Sequence, residues 1–275
     1  MYIYIYDIIL VIAALWILYS KFKKRVPILM YHRIADVPGD RNSLPADKFE
    51  QQLRYLAQNG YNTILPDELY EHYAHKKPLP PKPVMLTFDD GYEDNYTTAL
   101  PLLQKYKMKA VVFSIADWIG KPNHWEDFGK QETTTMTAQQ LLLWKKAKMD
   151  IQPHTCTHPF LTNCTARQLD DEMNRSKRVF EKLLHKKTDY VCYPYGFFDY
   201  NTIQAAKKAG YKMAFAIFDE VPLWNLNLYA LPRIPIPSHQ KMWEFKLKVS
   251  SINTLFVALR KWERSFKHLK SKFFH

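Results

Sequence analysis

The sequence predicts an α/β fold built on a mostly parallel sheet, open or closed into a barrel. Two observations carry this. Short apolar or β-branched runs alternate with helical stretches along the body of the chain, and residues able to do chemistry fall where those runs end. In parallel-sheet folds, chemistry collects at the C-terminal ends of the strands. The bulk numbers agree: 275 residues suit a single α/β barrel or two modest domains, and an apolar fraction of 47% with 16 Phe, 18 Tyr and 7 Trp can fill a substantial core.

In chain order, Met1 to Tyr19 is nearly all apolar, with Asp7 its only charge, and it stops at Ser20-Lys21-Phe22-Lys23-Lys24-Arg25. About 20 apolar residues span a bilayer. A cleaved signal would carry positive charge before the apolar run and small residues after it, and both are missing. Residues 1–20 therefore read as an uncleaved transmembrane anchor and 21–25 as its basic flank, a buried or interfacial helix being the competing reading. No Lys or Arg precedes the span, whereas Lys21, Lys23, Lys24, Arg25 and Arg33 follow it. The positive-inside rule then puts the body in the cytoplasm, with an extracytoplasmic body as the alternative.

Residues 26–239 read as one catalytic domain. Strands are expected at Val26–Tyr31, Asn62–Leu65, Val84–Phe88, Ala110–Ile115, Asp150–Gln152, Tyr190–Tyr193, Met213–Phe218 and Leu231–Ile236. Helices are expected at Ala46–Gln58, Asn95–Tyr106, Thr137–Ala147, Thr165–Leu184 and Tyr200–Ala209, with Thr137 and Thr165 as N-terminal caps and Gly210 as a terminator. Residues 240–275 read as a basic amphipathic helix, because Trp243, Phe245, Leu255, Leu259, Trp262 and Phe266 recur at roughly helical spacing among Lys and Arg. Such a helix lies against anionic lipids or packs on the domain.

The net charge of +12 suits an anionic partner: a membrane surface, a phosphorylated substrate or nucleic acid. A nucleic-acid role has only the pI of about 9.4 behind it and is not expected. Cys156, Cys164 and Cys192 are too few and too odd for a disulfide framework and read as reduced thiols, Cys156–Cys164 being the one pair weighed as a bridge. Oligomeric state is not legible.

Val84 to Phe88 is a buried-strand pattern that ends in Asp89-Asp90-Gly91. Successive strand residues point to opposite sides, so one carboxylate can bind a metal while the other stays available as a base, and Gly91 permits a sharp turn behind them. A second strand ends in Pro153-His154-Thr155-Cys156-Thr157-His158-Pro159, whose two imidazoles can converge on one ion. Two His and one carboxylate leave positions open for water and substrate, and a bound ion would polarise an amide carbonyl. Tyr193-Pro194-Tyr195-Gly196 ends a third strand; such a turn can offer a backbone N–H to an oxyanion and an aromatic wall to a sugar ring. Alone, each element has a bland reading: a solvated acidic turn, a chance His spacing, a plain β-turn.

Together, Thr-Phe-Asp-Asp-Gly at 87–91, His-Thr-x-x-His at 154–158 and Tyr-Pro-Tyr-Gly at 193–196 resemble the first three motifs of the polysaccharide deacetylases, carbohydrate esterase family 4, over roughly residues 26–236. The resemblance implies a distorted (β/α) barrel and hydrolysis of an N-acetyl or related N-acyl group on an amino sugar. It implies Asp89 as general base, Asp90, His154 and His158 as ligands of a divalent cation, Zn²⁺ or similar, and Tyr195 N–H as oxyanion donor. Two departures stand out. Many members carry an Arg where this chain has Cys192, and Arg233 in Leu231-Pro232-Arg233-Ile234-Pro235 is the candidate replacement. The late His that usually serves as general acid has no clean match. His32, after Ile28 to Tyr31, takes that place over His239, in the manner of the poly-N-acetylglucosamine deacetylase branch.

The expected substrate is an N-acetylated amino-sugar polysaccharide or a lipid-linked amino sugar, with membrane lipids as further partners. The alternatives weighed are a catalytically inactive carbohydrate-binding module and a deformylase or deacylase of a polyprenyl-phosphate-linked amino sugar at the cytoplasmic membrane face.

Overall fold

The computed structural model describes residues 26–123, 133–217 and 227–250. Ile28–Phe218 with Leu226–Gln240 forms one compact unit; the other unit is described only at Val26, Pro27 and residues 241–250. The anchor expected at 1–20, its basic flank at 21–25 and the C-terminal helix beyond Ser250 lie outside the described residues. Among the described residues no helix is long and apolar enough to cross a membrane.

Among the described residues, nine short strands carry the main unit: β1 (Ile28–Tyr31), β2 (Asn62–Thr63), β3 (Pro83–Phe88), β4 (Val111–Ser114), β5 (Asp150–Pro153), β6 (Tyr190–Cys192), β7 (Met213–Ala216), β8 (Leu231–Pro232) and β9 (Ile234–Pro235). All their pairings are parallel. One sheet runs β5-β4-β3-β1-β9 with β2 at the start of β3; the other runs β6-β7-β8. Strands covered on both faces read as continuous apolar runs, which is why β1, β3 and β4 were legible.

The helices are α1 (Ala46–Gln58), α2 (Pro66–His75), α3 (Leu100–Lys105), α4 (Ala138–Lys146), α5 (Ala166–Leu184), α6 (Tyr200–Lys208) and, in the second unit, α7 (Met242–Val249). Helix α1 buries Phe49, Gln52, Leu53 and Leu56, one stripe at helical period. Thr137 and Thr165 do start α4 and α5, each through a reciprocal box with the Gln three residues on. On the outer, helix-covered face of the first sheet, Tyr31, Phe49, Phe88 and Trp144 interlock at centroid spacings of 5.3 to 6.0 Å. Against the second sheet, Leu169 and Met173 of α5 and Ala206 of α6 close on Val191, Tyr193 and Ala214.

Three expectations are corrected. Residues 95–106 do not form one α-helix: Asn95–Ala99 is a π-helical turn ahead of α3. Pro101 has no N–H to give the carbonyl four residues back, so the regular ladder cannot run through this point. Helix α2 was not expected; it opens on Pro66-Asp67-Glu68 and buries only Pro66 and Leu69, too narrow a stripe to read. The run 231–236 is two strands rather than one. β8 pairs with β7 and β9 with β1, and the chain passes from sheet to sheet at Arg233.

That crossing makes the two sheets an incomplete ring, settling the choice between open and closed. Phe113 of β4 meets Phe215 of β7 across the interior, with centroids 5.0 Å apart. The second seam, between β5 and β6, has no ladder. A side chain bridges it instead: Tyr190 N–H donates to Gln152 Oε1 at 3.2 Å, and Gln152 is held within β5 by donating from Nε2 to Asp150 Oδ2 at 2.8 Å. Gln152→Leu keeps the shape but strips a buried N–H of its acceptor. It should lower unfolding free energy by about 1–3 kcal/mol in chemical denaturation, and an unchanged midpoint would show that the seam does not depend on this side chain.

Candidate active site

Four ladders run one residue past their strands; three of the extra rungs hold a residue of the site, and the fourth, Tyr193, leads into the Tyr195 turn. Asp89 N–H donates to Tyr31 O at 2.9 Å, His154 N–H to Ser114 O at 2.8 Å, Tyr193 N–H to Phe215 O at 3.0 Å and Arg233 N–H to Ala216 O at 3.2 Å. Phe88, the residue before, points outward to Phe49 and Trp144, so the pleat turns Asp89 inward. Asp90 should then point out. Its φ of 68° breaks the alternation, and its carboxylate instead faces two histidines. Gly91 follows at φ 75°, where an added Cβ would lie 2.7 Å from Ser114 Oγ.

Asp90 Oδ1 lies 3.5 Å from His154 Nε2 and 3.4 Å from His158 Nε2. These contacts are not ion pairs. Burial pushes His154 down to about 4 against the pull of Asp89, and burial with the neighbouring His154 drives His158 well below its ordinary value, so both rings are neutral at pH 7. His154 Nδ1 sits 2.8 Å from Cys192 O, and only an N–H can satisfy a carbonyl. Nε2 therefore keeps its lone pair, aimed toward Asp90. The Cys192 carbonyl is available because β6 has no ladder on that side.

Asp90, His154 and His158 offer one carboxylate oxygen and two imidazole nitrogens within 4.8 Å of one another, all buried. Ligand atoms about 2.0–2.1 Å from a tetrahedral ion stand roughly 3.3–3.4 Å apart. The observed 3.4 and 3.5 Å match that edge, so the donor set fits a divalent cation. Asp89, His154 and Cys192 form a second such group. It fits less well: burial pushes the Cys192 thiol far up, and Asp89 is already engaged by a guanidinium.

That guanidinium belongs to Arg233, which donates through Nη1 to Asp89 Oδ1 at 2.6 Å and through Nη2 to Oδ2 at 2.7 Å. Arg233 is 3% exposed and Asp89 2%, so this is a buried, bidentate pair. Burial opposes ionisation of Asp89, but Arg233, with His154 and His32 behind it, outweighs burial and holds the carboxyl well below the usual range. Cys192 Sγ approaches the same carboxylate at 3.8 and 3.9 Å. His32 Nε2 is 4.0 Å from Asp89 Oδ2, whereas His239 is exposed in the turn beyond β9.

Residues that sequence reasoning missed hold the His32 segment. Asn95 Nδ2 donates to His32 O at 2.7 Å, and Asp94 accepts from Ile34 N–H at 2.9 Å and Arg33 Nε at 3.1 Å. Their place just after Asp89-Asp90-Gly91 was a visible signal. The Cys192 carbonyl had none, since a backbone acceptor leaves no mark in sequence.

Tyr195, at φ 58°, sits in the 3₁₀ turn Pro194–Gly196. Its ring lies 4.6 Å from that of His158 and stacks on Phe160 at 3.9 Å, so it walls the donor set and locks two site loops together. Gly196 is obligatory: an added Cβ would meet the Ile217 backbone N at 2.5 Å. With Asp90, Thr155 and His158, Tyr195 makes four non-glycine residues of this site in the left-handed region, a concentration of backbone strain typical of functional sites.

The polysaccharide deacetylase family model matches residues 76–214. The chain is 35% identical over 224 residues to the polysaccharide deacetylase YxkH of Bacillus subtilis, covering 82% of this chain and 75% of that one. It is 27% identical over 197 residues to the poly-β-1,6-N-acetyl-D-glucosamine N-deacetylase of Staphylococcus aureus, covering 70% and 68%. Among solved structures, the Streptococcus pyogenes deacetylase PplD in complex with acetate aligns with a TM-score of 0.72 and 28% identity, over 82% of this chain and 98% of that chain.

Arg233→Met leaves Asp89 buried without its cation and should cost about 3–5 kcal/mol at pH 7. A depressed carboxyl contributes stability above its unfolded pKa of about 3.9 and loses it as pH falls toward the folded value. The gap between wild type and Arg233→Met, measured by denaturation, should therefore narrow on acidification. A gap that failed to narrow as pH falls below about 4 would contradict the pairing.

Proposed function

The chain belongs to the polysaccharide deacetylase family and is a carbohydrate de-N-acetylase, and from that premise we propose that it hydrolyses the N-acetyl groups of an amino-sugar polysaccharide in a cation-dependent reaction. One observation carries the proposal. Adjacent residues at a single strand end serve two separate purposes, Asp89 bound to Arg233 and Asp90 grouped with His154 and His158.

Asp90, His154 and His158 would hold the cation, and Zn²⁺ suits two imidazoles with a carboxylate. When bound, it supplies the Lewis acidity that polarises the acyl carbonyl and lets water surrender a proton to so weak a base as Asp89. Asp89 accepts that proton as the water oxygen bonds to the acyl carbon, its ionised form and its orientation both fixed by Arg233. The Tyr195 N–H donates to the developing oxyanion. His32, on the Oδ2 side of Asp89, protonates the leaving amine as the C–N bond breaks, releasing acetate and a free amino sugar. The S. aureus relative is named for poly-β-1,6-N-acetyl-D-glucosamine, and a polymer of that kind is the substrate we assign.

Residues 1–20 would tether the catalytic unit, spanning 26–239, to a membrane, with 240–275 against its lipids. The Lys/Arg asymmetry favours the cytoplasmic side, where a lipid-linked amino sugar would replace the polymer as substrate. A topology reporter fused after His275 separates the two: an extracytoplasmic signal supports the polymer, a cytoplasmic one the lipid-linked sugar.

Purified protein given Zn²⁺ should release acetate from N-acetylglucosamine oligomers, and a chelator should abolish the release. Asp89→Asn should lower kcat by about 10²–10⁴-fold. A general acid must be protonated, so the rate should fall at high pH and His32→Ala should erase that limb, while His239→Ala leaves it intact. Full activity after metal removal would refute cation dependence, and no acetate release at any metal loading would refute the reaction.

A further inference from the structure

Between the two imidazoles of the donor set lie Thr155, Cys156 and Thr157, and this bridge is gripped from both sides. The carbonyls of Thr155 and Cys156 accept the N–H groups of Ala116 and Asp117, at 3.1 and 3.0 Å, from the turn that follows β4. On the other side stands one side chain. Glu172 Oε2 accepts the N–H of Cys156 at 2.7 Å and of Thr157 at 3.1 Å, and its Oε1 accepts the Thr157 hydroxyl at 2.6 Å.

Glu172 is only 6% exposed. A buried carboxylate is costly unless its oxygens are answered by donors. Among the described residues, the hydrogen bonds its carboxylate accepts all come from this bridge. The bridge in turn needs a clamp, because Thr155 and His158 are both left-handed at φ 63° and 64°, a geometry that relaxes unless the surroundings enforce it. Helix α5 supplies the rigidity. Leu169 and Met173, on either side of Glu172, are sunk in the core against the second sheet, so the carboxylate cannot follow a drifting loop.

We infer that Glu172 is a positioning residue of the cation site, holding His154 and His158, through Cys156 and Thr157, at the spacing where both face Asp90. The inference rests on the cation-dependent reading given above. The role is geometric, so a neutral side chain of the same shape should also serve: a Gln carbonyl can accept both backbone N–H groups while its amide donates to the Thr157 hydroxyl.

The test measures Zn²⁺ affinity by competition with a chromophoric chelator, and the visible spectrum of the Co²⁺-loaded protein, for wild type, Glu172→Ala and Glu172→Gln. Glu172→Ala should bind Zn²⁺ about 10–100-fold more weakly and show an altered Co²⁺ spectrum, whereas Glu172→Gln should stay close to wild type. If Glu172→Ala does not fold, Glu172→Asp takes its place, since it keeps the charge but shortens the reach by one methylene, and it should weaken binding too. Wild-type affinity in Glu172→Ala, or in Glu172→Asp where that stands in, overturns the inference alone. Equal losses in Glu172→Ala and Glu172→Gln also overturn it, because charge rather than position would then matter. A wild-type protein that binds no Zn²⁺ overturns the cation-dependent reading as well.

Discussion

A carboxylate shut away from water has to be answered by a fixed positive charge, and the Asp89–Arg233 pair is where this molecule meets that requirement. Arg233 is also the residue at which the chain leaves one sheet for the other, so ring closure and charge compensation occur at the same point. Pulling β8 and β9 away from their neighbours would strand Asp89. Removing Asp89 would strand a guanidinium in the interior, close to the Phe113 ring. The fold and the site are held by the same two hydrogen bonds, which makes it hard to perturb the chemistry without perturbing the architecture.

The rest of the site uses the same device at smaller scale. Ladders run one rung too far, and the residue on that rung is held by sheet hydrogen bonding but freed from sheet direction at the next bond. Positive φ at Asp90, Thr155, His158 and Tyr195 then re-aims side chains that pleating would have sent elsewhere. The cost is local strain of the order of 1–2 kcal/mol per residue. It is borne by packing of ordinary quality behind the strands, where Tyr31, Phe49, Phe88 and Trp144 interlock.

Much of this was legible in the sequence because it is written in short range. Continuous apolar runs marked the parallel strands to within a few residues, and the capping Thr137 and Thr165 marked two helix starts. His32 and Arg233 were reached only through the family resemblance, as replacements for an Arg and a His missing from its usual pattern, and both lie beside Asp89. What escaped depends on long range or on backbone. Glu172 looks like one more charged residue on an amphipathic helix, and only the fold reveals the loop it touches. Gln152 reads as a polar break in a strand, because nothing local announces that β5 has no partner on that side. The π-helical turn at Asn95–Ala99 is marked in the sequence only by Pro101, while the apolar spacing across it is that of one continuous helix.

The contact between His154 and the Cys192 carbonyl has a consequence for substitution. A tautomer fixed by main chain cannot be lost by replacing a side chain, so position 192 is released from that duty whatever residue stands there. The buried guanidinium of this site comes from elsewhere, from Arg233 between β8 and β9. Residue 192 thus fixes the ligand's proton through its backbone, while the charge that answers Asp89 arrives from position 233 on another wall of the ring.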